Sequence, residues 1–304
     1  EDQLAEAKTL TNLSACYINL QDPDKGIEVL IRSIYLKEKL DKDNLTATSY
    51  AQLGNAYQDK FHYDNAIANF RKAMGKFTRH NNEYYKGRAL VLLAGCYCDI
   101  GDPTKALDYL EKGENICIKF GESHILGRIK WIYGRILRSM NEYEKAIDQF
   151  EKSIKFFKEG EFRKPNIESL MEIMVTQITY NKTDNLQELI SEYNKIATKL
   201  SDSEQYIGFL DCIHYLFNVH NSETKNINLI DIEIFLEEMS LSEEKYIGWW
   251  ILEKAVAIEN NNERVKLYHS KAIEIIYQLA DTIGNDTYKE LFLNKHPIVD
   301  IIKY

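Results

Sequence analysis

The sequence predicts an all-α solenoid of about seven antiparallel helix pairs with a C-terminal capping helix. Three observations carry this expectation. Landmark residues recur every 40 positions, an apolar helical period outlasts the landmarks, and only 4 Pro and 14 Gly punctuate 304 residues. A sheet-rich fold needs more turn chemistry than that. At 44% hydrophobic and 28% charged, the chain is composed like a folded protein with a sizeable core rather than a disordered one.

The repeat is read by self-comparison. Leu13-Ser14-x-x-Tyr17, Leu53-Gly54-x-x-Tyr57, Leu93-Ala94-x-x-Tyr97 and Tyr133-Gly134-x-x-Leu137 start 40 residues apart. Each is followed at one spacing by a small residue (Gly26, Ala66, Ala106, Ala146), then a large one (Leu30, Phe70, Leu110, Phe150), then another small one (Ser33, Ala73, Gly113, Ser153). Small residues permit close crossing of two helices, and large ones fill the grooves between neighbours. Asp22-Pro23 and Asp102-Pro103 stand where the second helix of a pair should begin, as an N-cap followed by proline at N1. His62-Tyr63 and Glu142-Tyr143 replace them in the second and fourth repeats.

These landmarks resemble the tetratricopeptide family, whose pattern is W-x2-L-G-x2-Y…A-x3-F-x2-A…P. The resemblance implies a right-handed superhelical array that binds proteins or peptides. The common repeat has about 34 residues; here it has 40, and Glu38, Thr78, Ile118 and Lys158 stand where the consensus proline ends the second helix. Both helices should therefore run about a turn longer, with polar joints such as Asp41-Lys42-Asp43-Asn44 and His80-Asn81-Asn82 between pairs. This long form resembles that of bacterial signalling regulators and animal polarity scaffolds.

Four regular repeats fill residues 1–160. Three degenerate pairs are expected over 161–280, where the landmarks decay but the helical period persists. Leu186, Leu189, Ile190 and Tyr193 form one apolar stripe, and Leu229, Ile232, Leu236 and Met239 another. A seventh pair spans Tyr246 to Leu279. Residues 281–304, with the run from Glu290 to Pro297, read as a capping helix over the last pair.

Composition and motifs point away from catalysis. There is no GxxxxGK[ST], GxSxG, HExxH or GxGxxG, and the seven histidines are scattered without metal-ligand spacing, so neither cofactor nor metal is expected. The five cysteines lack disulfide or CxxC spacing and read as small buried residues of a reducing, cytoplasmic compartment. A net charge of −9 disfavours nucleic acid as a partner, and no apolar run is long enough for membrane insertion. Acidic pairs such as Glu237-Glu238 and Glu243-Glu244 read as lying at helix ends or loops, solvated or near helix N-termini. The chain opens on Glu1 rather than Met and reads as part of a longer protein, with a possible output domain attached.

The resemblance places the concave groove on the first helix of each pair, at positions separated by three and four residues and so on one face. In the fourth repeat these positions hold Arg128, Trp131, Arg135 and Arg138; Arg88 precedes Arg128 by one repeat, and Asn55 occupies the second. Arginine offers a fork for carboxylate or phosphate, tryptophan a stacking surface, and the Asn55 amide both a donor and an acceptor for an extended backbone. The competing reading has the arginines paired with carboxylates such as Glu168 across the groove. The chaperone-tail clamp of some relatives is not reproduced, since Thr11, Ala15, Val91 and Gly95 occupy its positions. Trp249-Trp250 is a second candidate, with one ring expected in the core and the other under the terminal helix.

The expected function is therefore a non-catalytic protein- or peptide-binding module, the sensory part of a bacterial signalling protein, taking a partly acidic segment. A free-standing assembly scaffold using convex or edge surfaces is the alternative.

Overall fold

The computed structural model describes residues 2–19, 22–180, 182, 185–200, 203–222, 227–295 and 298–303. Among them all regular structure is helical. Seven consecutive pairs run from α1 (Asp2–Asn19) and α2 (Pro23–Lys39) through α3 (Asp43–Asp59), α4 (Tyr63–Arg79), α5 (Glu83–Asp99), α6 (Pro103–Cys117), α7 (Ser123–Ser139), α8 (Tyr143–Glu159), α9 (Arg163–Thr179), α10 (Leu186–Ala197), α11 (Ser203–His220) and α12 (Leu229–Glu238) to α13 (Glu243–Ile258) and α14 (Asn262–Asp281). Two short helices follow, α15 (Asp286–Asn294) and α16 (Ile298–Lys303).

The turns explain the 40-residue period. Asp41, Phe61, Asn81, Gly101, Gly121, Asn141 and Glu161 all take positive φ, one every 20 residues. The amide after most of them reaches back across the helix end, as in Lys42 N to Lys37 O (3.0 Å), His62 N to Tyr57 O (2.9 Å) and Phe162 N to Phe157 O (2.8 Å). This is the left-handed C-cap that satisfies a helix's last carbonyls. The expected joint 41–44 is shorter than read, because Asp43 and Asn44 already lie in the first turn of α3. The proline-led starts hold: Asp22 Oδ1 and Asp102 Oδ1 accept from Lys25 N (3.3 Å) and Lys105 N (3.0 Å).

The repeat landmarks are packing contacts. A Cβ on Gly54 would sit 2.5 Å from the Phe70 ring, and one on Gly134 2.5 Å from Phe150. Phe70 and Phe150 are themselves fully buried. Glycine is required at both positions for close approach.

The chain divides into two compact units, residues 1–132 with 282–291, and residues 133–281 with 292–304. Capping of the last pair takes a different form from the single helix expected. Residues 282–291 pack within the first unit, where the Thr282 carbonyl lies 3.0 Å from His62 Nδ1, Gly284 approaches Asp64, and Tyr288 meets the edge of the Tyr97 ring. In the second unit α16 lies on α14. His296 and Pro297, part of the expected capping run, fall outside the described residues.

Candidate functional site

Helix α7 carries a buried apolar stripe, Ile125, Ile129, Ile132 and Ile136, at gaps of four, three and four. That stripe anchors the helix and leaves the Arg/Trp positions on an adjoining face. The division between the two units falls within α7, so its arginines belong to two environments.

In the first unit, Asn55 is exposed on α3, and its amide makes no hydrogen bond to the described residues. Arg88 on α5 is half-buried. Its Nη1 donates to the Tyr84 hydroxyl (3.0 Å), and its guanidinium lies 5.5 and 5.8 Å from the ring centroids of Tyr84 and Tyr85. The Tyr84 hydroxyl donates in turn to Glu122 Oε2 at 2.5 Å. Arg128 on α7 is half-buried, with its Nε enclosed and without a hydrogen-bond partner among the described residues. Trp131, one turn on, is half-buried.

Arg88 and Arg128 converge electrostatically on His124. Burial first, then Arg128 and Arg88, hold its imidazole below the ordinary histidine range, against a smaller opposite pull from Glu122. Arg128 also reaches the Cys96 thiol, which burial keeps protonated and inert. Two arginines thus act on one imidazole with the Glu122 carboxylate beside them, and the Arg128 Nε has no hydrogen bond among the described residues.

Arg135 and Arg138 are different. In the second unit Arg135 Nε lies 3.2 Å from Glu172 Oε1 and its Nη2 3.2 Å from Glu243 Oε2. Arg138 Nη1 lies 2.5 Å from Glu172 Oε2, and Lys295 Nζ 2.5 Å from Glu243 Oε1. Side-chain exposure is 11% for Arg135, 10% for Arg138 and 9% for Glu172, so this is a buried network. Burial raises the Glu243 carboxyl, but Lys295 and Arg135 outweigh it and hold it below the usual carboxylate range. Of the two readings of Glu243, the helix N-terminus holds, since it opens α13, and the solvated one does not, since the carboxylate turns inward to two cations. The carboxylate on Arg135 and Arg138 is Glu172, one helical turn beyond Glu168.

Sequence reasoning missed His124, the Tyr84–Tyr85 pair, Glu172 and Lys295. Glu172 was findable, four residues beyond Glu168 on the same helix face. Lys295 left no signal, because nothing local links it to α13. Both Trp249 (1% exposed) and Trp250 (9%) are buried. Cys96, Cys117 and Cys212 are buried as expected, whereas Cys16 is exposed and Cys98 half-buried. Among the described residues no group of three or more His, Cys, Asp or Glu side chains is gathered to hold a metal, and no helix is long and apolar enough to cross a membrane.

Paired helices, left-handed caps and glycine-on-phenylalanine crossings define a helical-repeat protein. The tetratricopeptide repeat profile matches residues 5–77 and 85–159, and this part of the chain belongs to that family. Response regulator aspartate phosphatase A of Bacillus subtilis (strain 168) is 27% identical over 139 residues, covering 45% of this chain and 35% of the relative. The match thus spans about a third of that relative. A Rap protein complexed with competence and sporulation factor superposes with a TM-score of 0.77 at 15% identity, over 91% of this chain and 76% of that one. NprR in complex with its cognate peptide NprX gives 0.63 at 16%, over 88% and 75%. These solved structures share the fold.

Proposed function

We propose that this chain is a non-catalytic peptide- or protein-binding module of a bacterial signalling protein. Its ligand is an extended or helical segment carrying negative charge, held in the first unit by Asn55, Arg88, Arg128 and Trp131. The observation that carries the reading is Arg128: a half-buried guanidinium with neither ion pair nor hydrogen-bond acceptor among the described residues, acting with Arg88 on His124. A ligand carboxylate would supply that acceptor, and a charge-assisted hydrogen bond is about twice as strong as a neutral one. Two structural neighbours hold a bound partner, competence and sporulation factor for Rap and the cognate peptide NprX for NprR, which supports peptide or protein binding on this fold. In this reading Arg135 and Arg138 hold α7 to α9 and α13 rather than touch ligand. The curated relative is named as a phosphatase; the residues assigned here bind charge and supply no nucleophile.

The test is capture of partners from bacterial lysate by the chain and by Asn55→Ala and Arg88→Ala/Arg128→Ala variants, with folding checked by thermal melting. A partner retained by the parent, released by salt and lost by both folded variants supports the groove. A partner kept equally by all three sinks it and favours the scaffold alternative.

A further inference from the structure

A groove of about 760 Å³ lies wholly within the second unit, at the ends of α9 and α11 and along α13, α14 and α16. Its volume falls in the usual range for small-molecule sites, roughly 300–1,000 Å³. Ile178, Leu216, Phe217, Trp250 and Ile301 form apolar walls, and Ile258 stands 47% exposed along it.

The charges are unevenly satisfied. Of the two carboxylates, Glu253 faces His269 Nδ1 at 3.3 Å, and Asp300 also has a partner. The two lysines, Lys254 and Lys303, form no ion pair among the described residues. Lys254 Nζ lies 4.7 Å from the Trp250 ring centroid and has no protein hydrogen-bond acceptor among the described residues. Burial lowers its affinity for a proton, in opposition to Glu253 and Asp300. An apolar trough with an under-satisfied ammonium complements a molecule that is greasy along its length and anionic at one end.

We propose that this groove binds an amphiphile of the fatty-acid type, with its chain along Phe217, Trp250 and Ile301 and its carboxylate on Lys254. The site is independent of the peptide reading above, since none of its residues belongs to the first unit.

The test is calorimetric titration of the full chain with dodecanoate, with dodecanol as the uncharged probe. Saturable binding of dodecanoate at least about tenfold tighter than dodecanol is expected. Lys254→Met, which keeps the packing on Trp250, should erase that preference and leave dodecanol binding unchanged. Ala257→Trp, at an exposed position of the groove, should abolish both while melting like the parent. Absence of saturable binding, equal affinity for acid and alcohol, or binding that survives Ala257→Trp would each overturn the proposal. So would preference for an apolar hexapeptide over dodecanoate, which would make the groove a peptide site.

Discussion

Arg128 and Arg138 sit on one helix, yet the two units treat their arginines in opposite ways. In the first, Arg88 leans on tyrosine rings and Arg128 keeps an enclosed N–H unsatisfied. In the second, Arg135 and Arg138 are nearly buried and share Glu172. The difference lies in the facing carboxylate: Glu172 meets Arg135 and Arg138, whereas Arg128 forms no ion pair among the described residues. A buried ion network contributes order only while every member is present, whereas an under-satisfied cation remains available to a ligand. One residue type on one helix thus closes a buried ion network in one unit and, in the proposed function, meets ligand in the other.

That contrast breaks most visibly at Glu172. Glu172→Ala strips the buried Arg138 of its carboxylate and leaves Arg135 with Glu243 alone, and should cost about 3–5 kcal/mol in urea unfolding. A cost below about 1 kcal/mol would place Arg135 and Arg138 back among free cations. Arg128→Ala should change stability by less than about 1 kcal/mol in the same assay, since no internal hydrogen bond of Nε is lost.

The glycine crossings test where the units are alike. Gly54→Ala and Gly134→Ala each drive a methyl onto a phenylalanine ring and should each cost about 1–3 kcal/mol. Markedly unequal costs would mean that the two crossings, though equal in sequence, are held with different rigidity.

The smallest effect is a pH slope from the first unit. The His124 pKa is lower in the fold than in the unfolded chain, so folding favours the neutral ring. The associated stability is complete above the unfolded value of about 6.5 and is lost as pH falls through the folded pKa. Denaturation curves of the parent and of His124→Gln between about pH 5 and pH 7.5 should converge toward acid. Parallel curves would show that neither burial nor the two arginines lower the His124 pKa in the fold.

The repeat was legible because its signals are local. Leu53-Gly54-x-x-Tyr57 and Phe70 lie in adjacent helices joined by a short turn, so the spacing alone brings Gly54 under the ring. The 20-residue turns were only half legible. Gly101 and Gly121 announce positive φ, but Phe61 and Glu161 adopt it against their own preference because the helix ends around them demand it. The polar face of α7 could be located from its period, but not which arginine meets a carboxylate.

The sequence by itself determined the all-helical class, the repeat length and the helices that carry Arg88, Arg128, Arg135 and Arg138. Those follow from helical periodicity and close-packing, which act over a few tens of residues. Only the tertiary structure decided that Glu243 and Lys295, 52 residues apart, meet beside Arg135, that Thr282 returns to His62, and that Trp250 floors a groove. Such contacts depend on the summed rotations of successive helix pairs, and no single repeat encodes that sum.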